Sequence, residues 1–496
     1  MSLLAGLDVG TTTLKAVLYD SETGRIVSTA DEPTPVSHPR PEWSEHDPQQ
    51  LWQAACRCLR AACTGKSVHA LAIASMAEAG VALDSQDRPV APAIAWYDRR
   101  SSPQAARVEE QIGRAALFRI SGQRVTASFG LTKWLWMRDQ QPDLAGQAGW
   151  WLPLPTYLLY RLTGERAVDY SIASRALLFD QNTLDWSAPL LDLAGLSRAN
   201  LPALAPGGSV VGCISSKASS ETGLPAGMVC ALGGHDHLCA ALAAGGTRSG
   251  AAVDSMGSAE AVILFLPAFQ PDPTLGERGY ACYAHVLPGQ FVLKAGLKAA
   301  GSSIEWLARL LSGGADPDYA SLEAEARASL GKSGPLWLPH LLESGSPEAD
   351  PLSRGALAGA RLEHTRGDLF RGMLEGLACW LRQNLSDMQA AAQVPVQSLS
   401  LLGGTTRLAL LSQIKADVLN MPVEVPQIPQ AAAVGAALLA GLGSSVFSSV
   451  TEALASLRYP IRKLQPTPDQ ARLYERLYSQ VYTQIYPSLR AIHHAL

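Results

Sequence analysis

The chain has 496 residues, of which 47% are hydrophobic and 17% are charged. That length exceeds what one hydrophobic core usually serves and predicts at least two domains. The 40 Lys and Arg residues against 44 Asp and Glu give a net charge of −4, which, without a basic stripe, argues against nucleic-acid binding. No apolar run approaches the roughly 18 residues of a membrane span. The eight Cys are scattered and no signal-peptide pattern appears, so we expect reduced thiols and a cytoplasmic protein.

The beginning of the chain predicts a β-hairpin with a Gly- and Thr-rich turn. Residues 3–7 form an apolar run that leads to Asp8, a turn signal follows from Gly10, and residues 14–19 are apolar again. Residues 25–30 are compatible with a third strand. Apolar spacing then predicts helices over 43–59 and 102–118 and strands over 68–74 and 80–84. This mixture of strands and helices is typical of α/β domains.

The same pattern returns in the second half of the chain. The apolar residues 251–253 lead to Asp254, Gly257 and Ser258 occupy the turn, and residues 261–265 are apolar again. Two copies about half a chain apart predict a duplicated fold, with the two hairpin turns facing one cleft.

The first turn has the composition of a phosphate-binding loop. Successive backbone N–H groups without large side chains can wrap phosphate oxygens, and a following lysine can add an ammonium group. Asp8 stands at the strand end, where a carboxylate can hold Mg²⁺ and help to neutralise nucleotide phosphates. The alternative is an ordinary tight hairpin with a solvated lysine, which the second, opposed turn makes less favourable. The residues assigned to the first turn are Gly10, Thr11, Thr12, Thr13 and Lys15.

Asp236 is the strongest candidate for a catalytic base. It follows the apolar run 228–232 and a Gly-Gly pair, and a small-residue run comes after it, so we expect it at a strand end and a helix start. A helix N-cap is an alternative role that is compatible with catalysis. The His-Asp-His run also allows a metal site, with His235 and His237 as potential ligands, although no third or fourth ligand lies nearby in sequence.

A second Gly-Gly pair occurs at Gly403 and Gly404. It follows the apolar run 399–402 and opens a predicted helix through residue 419, with Arg407 near its start. Such a turn lets a flat ring or a ribose approach the backbone closely. The alternative is a plain strand-to-helix connection.

Many short segments, in order along nearly the whole chain, resemble the FGGY carbohydrate kinases, the group that holds glycerol kinase, xylulose kinase and gluconate kinase. The segments that carry the resemblance are 6–12 with Lys15, 42–48, 96–100, 133–136, 162–169, 233–236, 257–258, 337–339, 354–359, 375–376, 403–407 and 433–437.

The resemblance implies an α/β protein with two actin-like, ribonuclease-H-like ATPase domains and ATP in the interdomain cleft. It implies an ATP-dependent kinase for a hydroxyl of a small sugar or polyol, such as xylulose or another short ketose or polyol. Asp236 would take the hydroxyl proton and Asp8 would help to hold Mg²⁺. The nucleotide would contact the first turn, a second phosphate turn and an adenosine segment, that is, Thr11, Thr12, Thr13 and Lys15, then Gly257 and Ser258, then Gly403, Gly404 and Arg407.

The boundaries follow from the same segments. Residues 1–246 would form the N-terminal domain, residues 247–455 the C-terminal domain, and residues 456–496 a helix that docks back on the core. The expected partner is a small-molecule substrate, with neither nucleic acid nor a membrane involved. A homodimer is compatible with the resemblance, because dimers are common in the family.

The substrate-side residues fit neither of the two familiar subgroups. Glu78 falls where glycerol kinases place a polyol-binding Glu and xylulose kinases a His, and His237 replaces a Gln or Asn. Glu78 disfavours an acid such as gluconate, because two carboxylates repel, and it would accept hydrogen bonds from a neutral polyol or ketose. Its alternative is an exposed loop residue. Trp96, Asp98 and Arg99 are expected to contact the substrate or to form the wall of its pocket.

Three departures from the family pattern concern the nucleotide side. Thr405 replaces the third Gly of the adenosine turn, residues 343–347 lack the usual Arg, and Gln430 stands where a Glu is frequent. The base and the phosphate hairpin are intact, so we expect an active kinase. The competing hypothesis is a non-catalytic, actin- or chaperone-like ATP-binding protein with the same hairpins.

Overall fold

The computed structural model describes residues 2–496 and contains two mixed β-sheets flanked by helices. The first sheet has six strands, and the hairpin predicted at the beginning of the chain is confirmed. Leu3–Val9 pairs antiparallel with Thr13–Asp20 and parallel with Val68–Ser75. In spatial order the strands are Val210–Cys213, Val229–His235, Val68–Ser75, Leu3–Val9, Thr13–Asp20 and Arg25–Pro33.

The second sheet has seven strands and repeats the same arrangement. In spatial order they are Ala281–Ala284, Phe291–Leu297, Glu260–Leu266, Ala251–Met256, Ser398–Leu402, Val423–Pro426 and Ile461–Leu464. In each sheet one strand, Leu3–Val9 in the first and Ala251–Met256 in the second, has an antiparallel neighbour on one side and a parallel neighbour on the other, and the parallel neighbour pairs parallel with one further strand. The antiparallel side continues to Arg25–Pro33 in the first sheet, and to Phe291–Leu297 and then Ala281–Ala284 in the second. The duplicated fold and the two actin-like α/β domains are therefore confirmed.

Helices cover both sheets, and the first domain also contains several short two-stranded sheets. The helices before residue 250 are Pro48–Cys63, Ser102–Ile112, Arg114–Ser121, Gly130–Gln140, Pro142–Gln147, Leu154–Thr163, Tyr170–Ala176, Ala188–Ala194, Ser216–Thr222 and Asp236–Ala243. Those after it are Pro273–Glu277, Gly301–Leu311, Tyr319–Ala328, Arg366–Ala392, Ala409–Leu419, Ala431–Gly443, Val450–Ser456, Pro468–Leu477 and Thr483–Ala495. The predicted helix over 102–118 is two helices, because Gly113 adopts a φ of 82° and breaks it.

The C-terminal segment belongs structurally to the second domain. Ile461–Leu464 is the edge strand of its sheet, and a helical run with a π-helical stretch at Tyr478–Tyr482 follows. The Tyr474 hydroxyl is buried and donates to Glu375 Oε1 at 3.0 Å, so this segment packs against the second domain. None of the helices within residues 2–496 combines the length and apolarity that crossing a membrane requires.

Two helices cross between the sheets and join the domains at the floor of the cleft. They are Asp236–Ala243 and Ala431–Gly443, and both are rich in small residues. A Cβ at Gly6 would lie 1.8 Å from the Ala433 carbonyl oxygen, and one at Gly435 would lie 1.9 Å from the Cys239 carbonyl oxygen. The glycines of these family segments are therefore needed because backbones touch there.

Candidate active site

A cavity of about 900 Å³ lies between the domains, with walls from both. In each sheet the carboxyl ends of the parallel strands point toward it, which is where ligands bind in open α/β sheets. Strand Leu3–Val9 brings Asp8, strand Val229–His235 brings Asp236, and the second sheet brings the adenosine turn. The residues from the sequence prediction that line this cavity are Asp8, Lys15, Asp236, His237, Gly403, Gly404 and Arg407.

The first turn holds its shape through backbone contacts. The Gly10 N–H donates to the Thr13 carbonyl at 3.2 Å, and Thr34 Oγ1 donates to the Gly10 carbonyl at 2.7 Å. The side chain of Thr12 is exposed, whereas Thr11 and Thr13 are half-buried. Within residues 2–496 the Lys15 ammonium has no hydrogen-bond or ion-pair partner, so it is free to meet an anion.

The carboxylate of Asp8 is unusual because one of its oxygens is buried without a hydrogen-bond partner. That atom is Oδ1. Burial raises the pKa of Asp8 well above its usual range, the charge of Asp236 raises it further, and Lys15 opposes both. A cation beside Asp8 would remove the cost of this arrangement, so the residue fits a metal-binding role.

Asp236 occupies the first position of helix Asp236–Ala243, one residue after the geometric N-cap, His235. Its Oδ1 accepts the His237 N–H at 2.6 Å, and 26% of the side chain remains exposed to the cavity. Burial raises the pKa of Asp236, the His237 hydrogen bond lowers it, and the charge of Glu78 raises it. A carboxylate with a raised pKa in a cleft is suited to accepting a proton.

The strand that presents Asp236 is held by close backbone packing. A Cβ at Gly233 would lie 2.1 Å from the Ile73 carbonyl oxygen, and one at Gly234 would lie 2.9 Å from Ser171 Oγ. Ser171 Oγ donates to Asp169 Oδ2 and accepts the His235 N–H at 2.9 Å. The Gly-Gly pair therefore allows tight packing, and Asp169 anchors the end of the strand.

The alternative of a metal site at His-Asp-His has partial geometric support. One ligand atom from each of His235, Asp236 and His237 lies within 4.8 Å of the others. Burial lowers the pKa of both histidines, so both are neutral and have lone pairs available. A structural zinc site requires four ligands, and this group supplies three.

Glu78 is not an exposed loop residue but half of a buried ion pair. It follows strand Val68–Ser75, has a φ of 70°, and accepts the Arg175 Nε–H at Oε1 over 2.7 Å. Arg175 also donates to Gln123 Oε1 at 2.8 Å and lies 4.6 Å from the centroid of the Phe129 ring. The negative charge of Glu78 is thus neutralised within the pocket.

Trp96, Asp98 and Arg99, all expected at the substrate pocket, lie in three different environments in the structure. The Trp96 indole is partly exposed, and its Nε1–H donates to Thr11 Oγ1 at 2.9 Å, which joins this wall to the first turn. The Asp98 carboxylate is buried against Arg100 at 2.7 Å and accepts the Ser44 N–H, so it holds the loop. Arg99 is exposed.

The second phosphate turn is fixed by neighbouring backbone. The Ser258 carbonyl accepts N–H groups from Ala300 and Ser302, at 2.9 and 3.1 Å, and Gly257 and Ser258 remain exposed. Thr405, which replaces a family glycine, donates through Oγ1 to the Met256 carbonyl at 3.1 Å. This departure therefore ties the adenosine turn to the strand that leads into the phosphate turn.

Sequence reasoning missed several residues whose charges or rings lie near Asp236 or its neighbours. Arg175 lies in the helix that Asp169 caps, and only the family segment ending at Asp169 pointed to that region. Lys294 and Tyr283 come from the second domain, on neighbouring strands of its sheet. No local sequence signal marks either residue, because only the packing of the two domains brings them close to the first domain.

Comparisons with known proteins agree with this architecture. A model of the FGGY family of carbohydrate kinases, N-terminal domain, matches residues 3–243, and the C-terminal domain model matches residues 264–444. Xylulose kinase of Escherichia coli (strain K12) is 30% identical over 457 residues, covering 91% of this chain and 92% of that protein. Glycerol kinase of Acidovorax ebreus (strain TPSY) is 31% identical over 486 residues, covering 94% and 95%.

A solved structure extends the similarity to three dimensions. Xylulose kinase from Rhodospirillum rubrum is 30% identical and superposes with a TM-score of 0.91, covering 99% of this chain and 100% of that one. The family predicted from the short segments is thereby confirmed, as is the class of enzyme. This chain belongs to the FGGY family of carbohydrate kinases, phosphotransferases that act on an alcohol group of their substrate.

Proposed function

We propose that this enzyme transfers the γ-phosphoryl group of ATP to a hydroxyl of a neutral short ketose or polyol, with Asp236 as the base. The observation that carries the proposal is the single cavity in which Asp236 and His237 meet Asp8 and Lys15 of the first hairpin and the adenosine turn. Arg407 and the two glycines of that turn stand across the cleft from Asp8 and Lys15. The same cavity thus holds a candidate base for a sugar hydroxyl and groups suited to a nucleotide.

In this mechanism the protein contributes mainly position and charge. Phosphoryl transfer passes through a loose transition state, so alignment of the hydroxyl with the γ-phosphate dominates the rate. The turns at 10–13 and 257–258 would hold the phosphates through backbone N–H groups, and Lys15 would add a positive charge. Asp236 would orient the attacking hydroxyl and accept its proton late in the transfer.

Asp8 is the residue that would hold Mg²⁺, directly or through water. Its unpartnered buried oxygen fits a hard cation, which prefers carboxylate and water ligands. When bound, the ion would supply charge neutralisation at the nucleotide phosphates. The neighbouring Lys15 would share that task from the opposite strand of the hairpin.

A substrate screen tests the proposal. Purified protein is incubated with ATP and Mg²⁺, and ADP release is followed with pentuloses, tetritols, glycerol and hexonates in turn. We expect a neutral ketose or polyol to stimulate ADP release, with a phosphorylated product visible by mass spectrometry. A complete lack of stimulation would favour the actin- or chaperone-like alternative, whereas stimulation by hexonates alone would contradict the neutral substrate.

The role of Glu78 gives a prediction about substrate affinity. Glu78→Gln keeps an acceptor for Arg175 but removes the charge that would bind a sugar hydroxyl. We expect the KM for the sugar to rise about ten- to hundredfold, the range for a lost charged hydrogen bond, while the KM for ATP stays unchanged. Steady-state kinetics with each substrate varied in turn measure both constants.

A matched control comes from the exposed surface. Glu110→Gln removes a carboxylate from an exposed position of helix Ser102–Ile112 and should leave both KM values unchanged. A wild-type KM for the sugar in Glu78→Gln would show that Glu78 serves only to pair with Arg175.

A further inference from the structure

Lys294 lies on the face of the second sheet that is turned toward the first domain. Side chains alternate along strand Phe291–Leu297, so Lys294 shares a face with Val292, whereas Leu293 and Ala295 pack into the core of the second domain. Val292 belongs instead to the apolar cluster that joins the domains, together with Leu238 of the helix that begins at Asp236. The ammonium group of Lys294 is therefore carried toward the sugar side of the cleft.

The neighbouring strand confirms where this face points. Tyr283 pairs with Val292 across the sheet, and its ring centroid lies 6.3 Å from that of His235. The Arg175 guanidinium carbon lies 5.7 Å from the centroid of the Tyr283 ring. The second domain thus presents Tyr283, and Lys294 diagonally beside it, to the residues that flank Asp236.

Polar groups without partners converge on this spot from both domains. Within residues 2–496 Lys294 makes no hydrogen bond or ion pair, and the fully buried Tyr283 hydroxyl makes none either. Gln123, whose oxygen accepts from Arg175, has a buried amide nitrogen that is also unpartnered. Buried donors without acceptors are costly, so a ligand rich in oxygen atoms would satisfy the Tyr283 and Gln123 groups, and the half-buried Lys294 could donate to the same ligand.

The charges around Lys294 indicate that the ligand is neutral. Glu78 is paired with Arg175, the positive charge of Lys294 opposes that of Asp236 without an ion pair between them, and burial keeps His237 neutral. The pKa of Lys294 is lowered to about 8, mainly by burial and also by the charge of Arg175, while the carboxylates of Glu78 and Asp236 oppose this shift. The charges of Arg175, Glu78 and Asp236 therefore all act on the Lys294 ammonium group.

We propose that Lys294, supplied by the second domain, is a specificity-determining residue that donates a hydrogen bond to an oxygen of a neutral ketose or polyol. The inference rests on the proposed function and deepens it, since half of the sugar site would come from each domain. Sugar binding would then draw the two domains together, because the first domain alone leaves this oxygen without its donor. Tyr283 and Gln123 would satisfy further oxygens of the same molecule.

The test uses the full-length enzyme and its best neutral substrate from the screen. Lys294→Met keeps the length of the side chain but removes the ammonium group. We expect the KM for the sugar to rise about ten- to hundredfold and basal ATP hydrolysis to keep its KM for ATP. Lys294→Arg keeps a cationic donor and should lose less affinity than Lys294→Met. Lys463→Met, on the exposed edge strand of the same sheet, should match the wild type.

Each outcome bears on one claim. A wild-type sugar KM for Lys294→Met, or a lower kcat with a displaced pH profile and unchanged KM, would overturn the proposal, because Lys294 would then act only on Asp236. A lower melting temperature with unchanged KM would assign it a structural role and overturn the proposal equally. If the wild-type enzyme phosphorylates no sugar or polyol, the proposed function fails first, and a preference for aldonates would overturn the neutral substrate class.

Discussion

Asp236→Asn should fold normally, bind ATP and sugar, and phosphorylate the sugar about 10²- to 10⁴-fold more slowly than the wild type. The asparagine oxygen can still accept the His237 N–H that Asp236 Oδ1 accepts at 2.6 Å, so the start of the helix keeps its hydrogen bond. It has no useful affinity for the hydroxyl proton, however, so the base is lost. Single-turnover phosphorylation, with the melting temperature measured in parallel, separates the two effects.

The raised pKa of Asp236 also predicts how the rate depends on pH. Because burial raises that pKa, the wild-type kcat/KM should fall as the pH drops and the carboxylate takes up its proton. Asp236→Asn should lose this acid limb together with the rate. Asp143→Asn, at an exposed position of helix Pro142–Gln147, should keep both. More than about a tenth of the wild-type kcat in Asp236→Asn would contradict the base mechanism while leaving the fold unaffected.

The parts of the site that the sequence predicts are those that local chemistry determines. The first turn and Asp236 each sit at a strand end next to glycines, and such junctions are visible as an apolar run, a polar residue and a turn signal. The repeat of the pattern at Asp254 predicts the second domain for the same reason. Buried in the structure, however, Asp254 pairs with Lys415 at 2.5 Å instead of facing the cleft, so the two copies have diverged in chemistry.

The parts that the sequence does not predict depend on contacts between distant segments. Arg175 lies 97 residues from Glu78, yet their pairing decides whether Glu78 is a charge or half of a neutral pair. Because Arg175 neutralises Glu78, repulsion by Glu78 no longer argues against acidic substrates. The argument for a neutral substrate depends instead on the balance of charges around Lys294. Asp98 was expected near the substrate because of its family segment, but its partner is Arg100, two residues away, and only burial distinguishes a loop-holding pair from a ligand-binding one.

Asp8→Asn should make the enzyme depend on much higher Mg²⁺ concentrations without destabilising the metal-free protein. The loss of a residue that holds or orients a metal typically lowers metal affinity about 10- to 100-fold, so the Mg²⁺ concentration for half-maximal rate should rise by that factor. Mg²⁺ should raise the melting temperature of the wild type in the presence of ADP, because it binds only the folded state, and this rise should shrink in the variant.

The stability of the metal-free protein gives an independent readout of the same carboxylate. The folded-state pKa of Asp8 is raised from 3.8, mainly by burial, so its contribution to the free energy of unfolding is fully present below pH 3.8 and is lost as the pH rises through the raised value. Above the raised pKa of about 8, the ionised Asp8 without a cation therefore costs stability, and Asn removes that cost. Melting temperatures measured with EDTA should accordingly be equal or higher for Asp8→Asn at pH 8, and the difference should vanish toward pH 4. An unchanged Mg²⁺ requirement, together with a lower melting temperature at pH 8, would show that Asp8 serves the hairpin and not the ion.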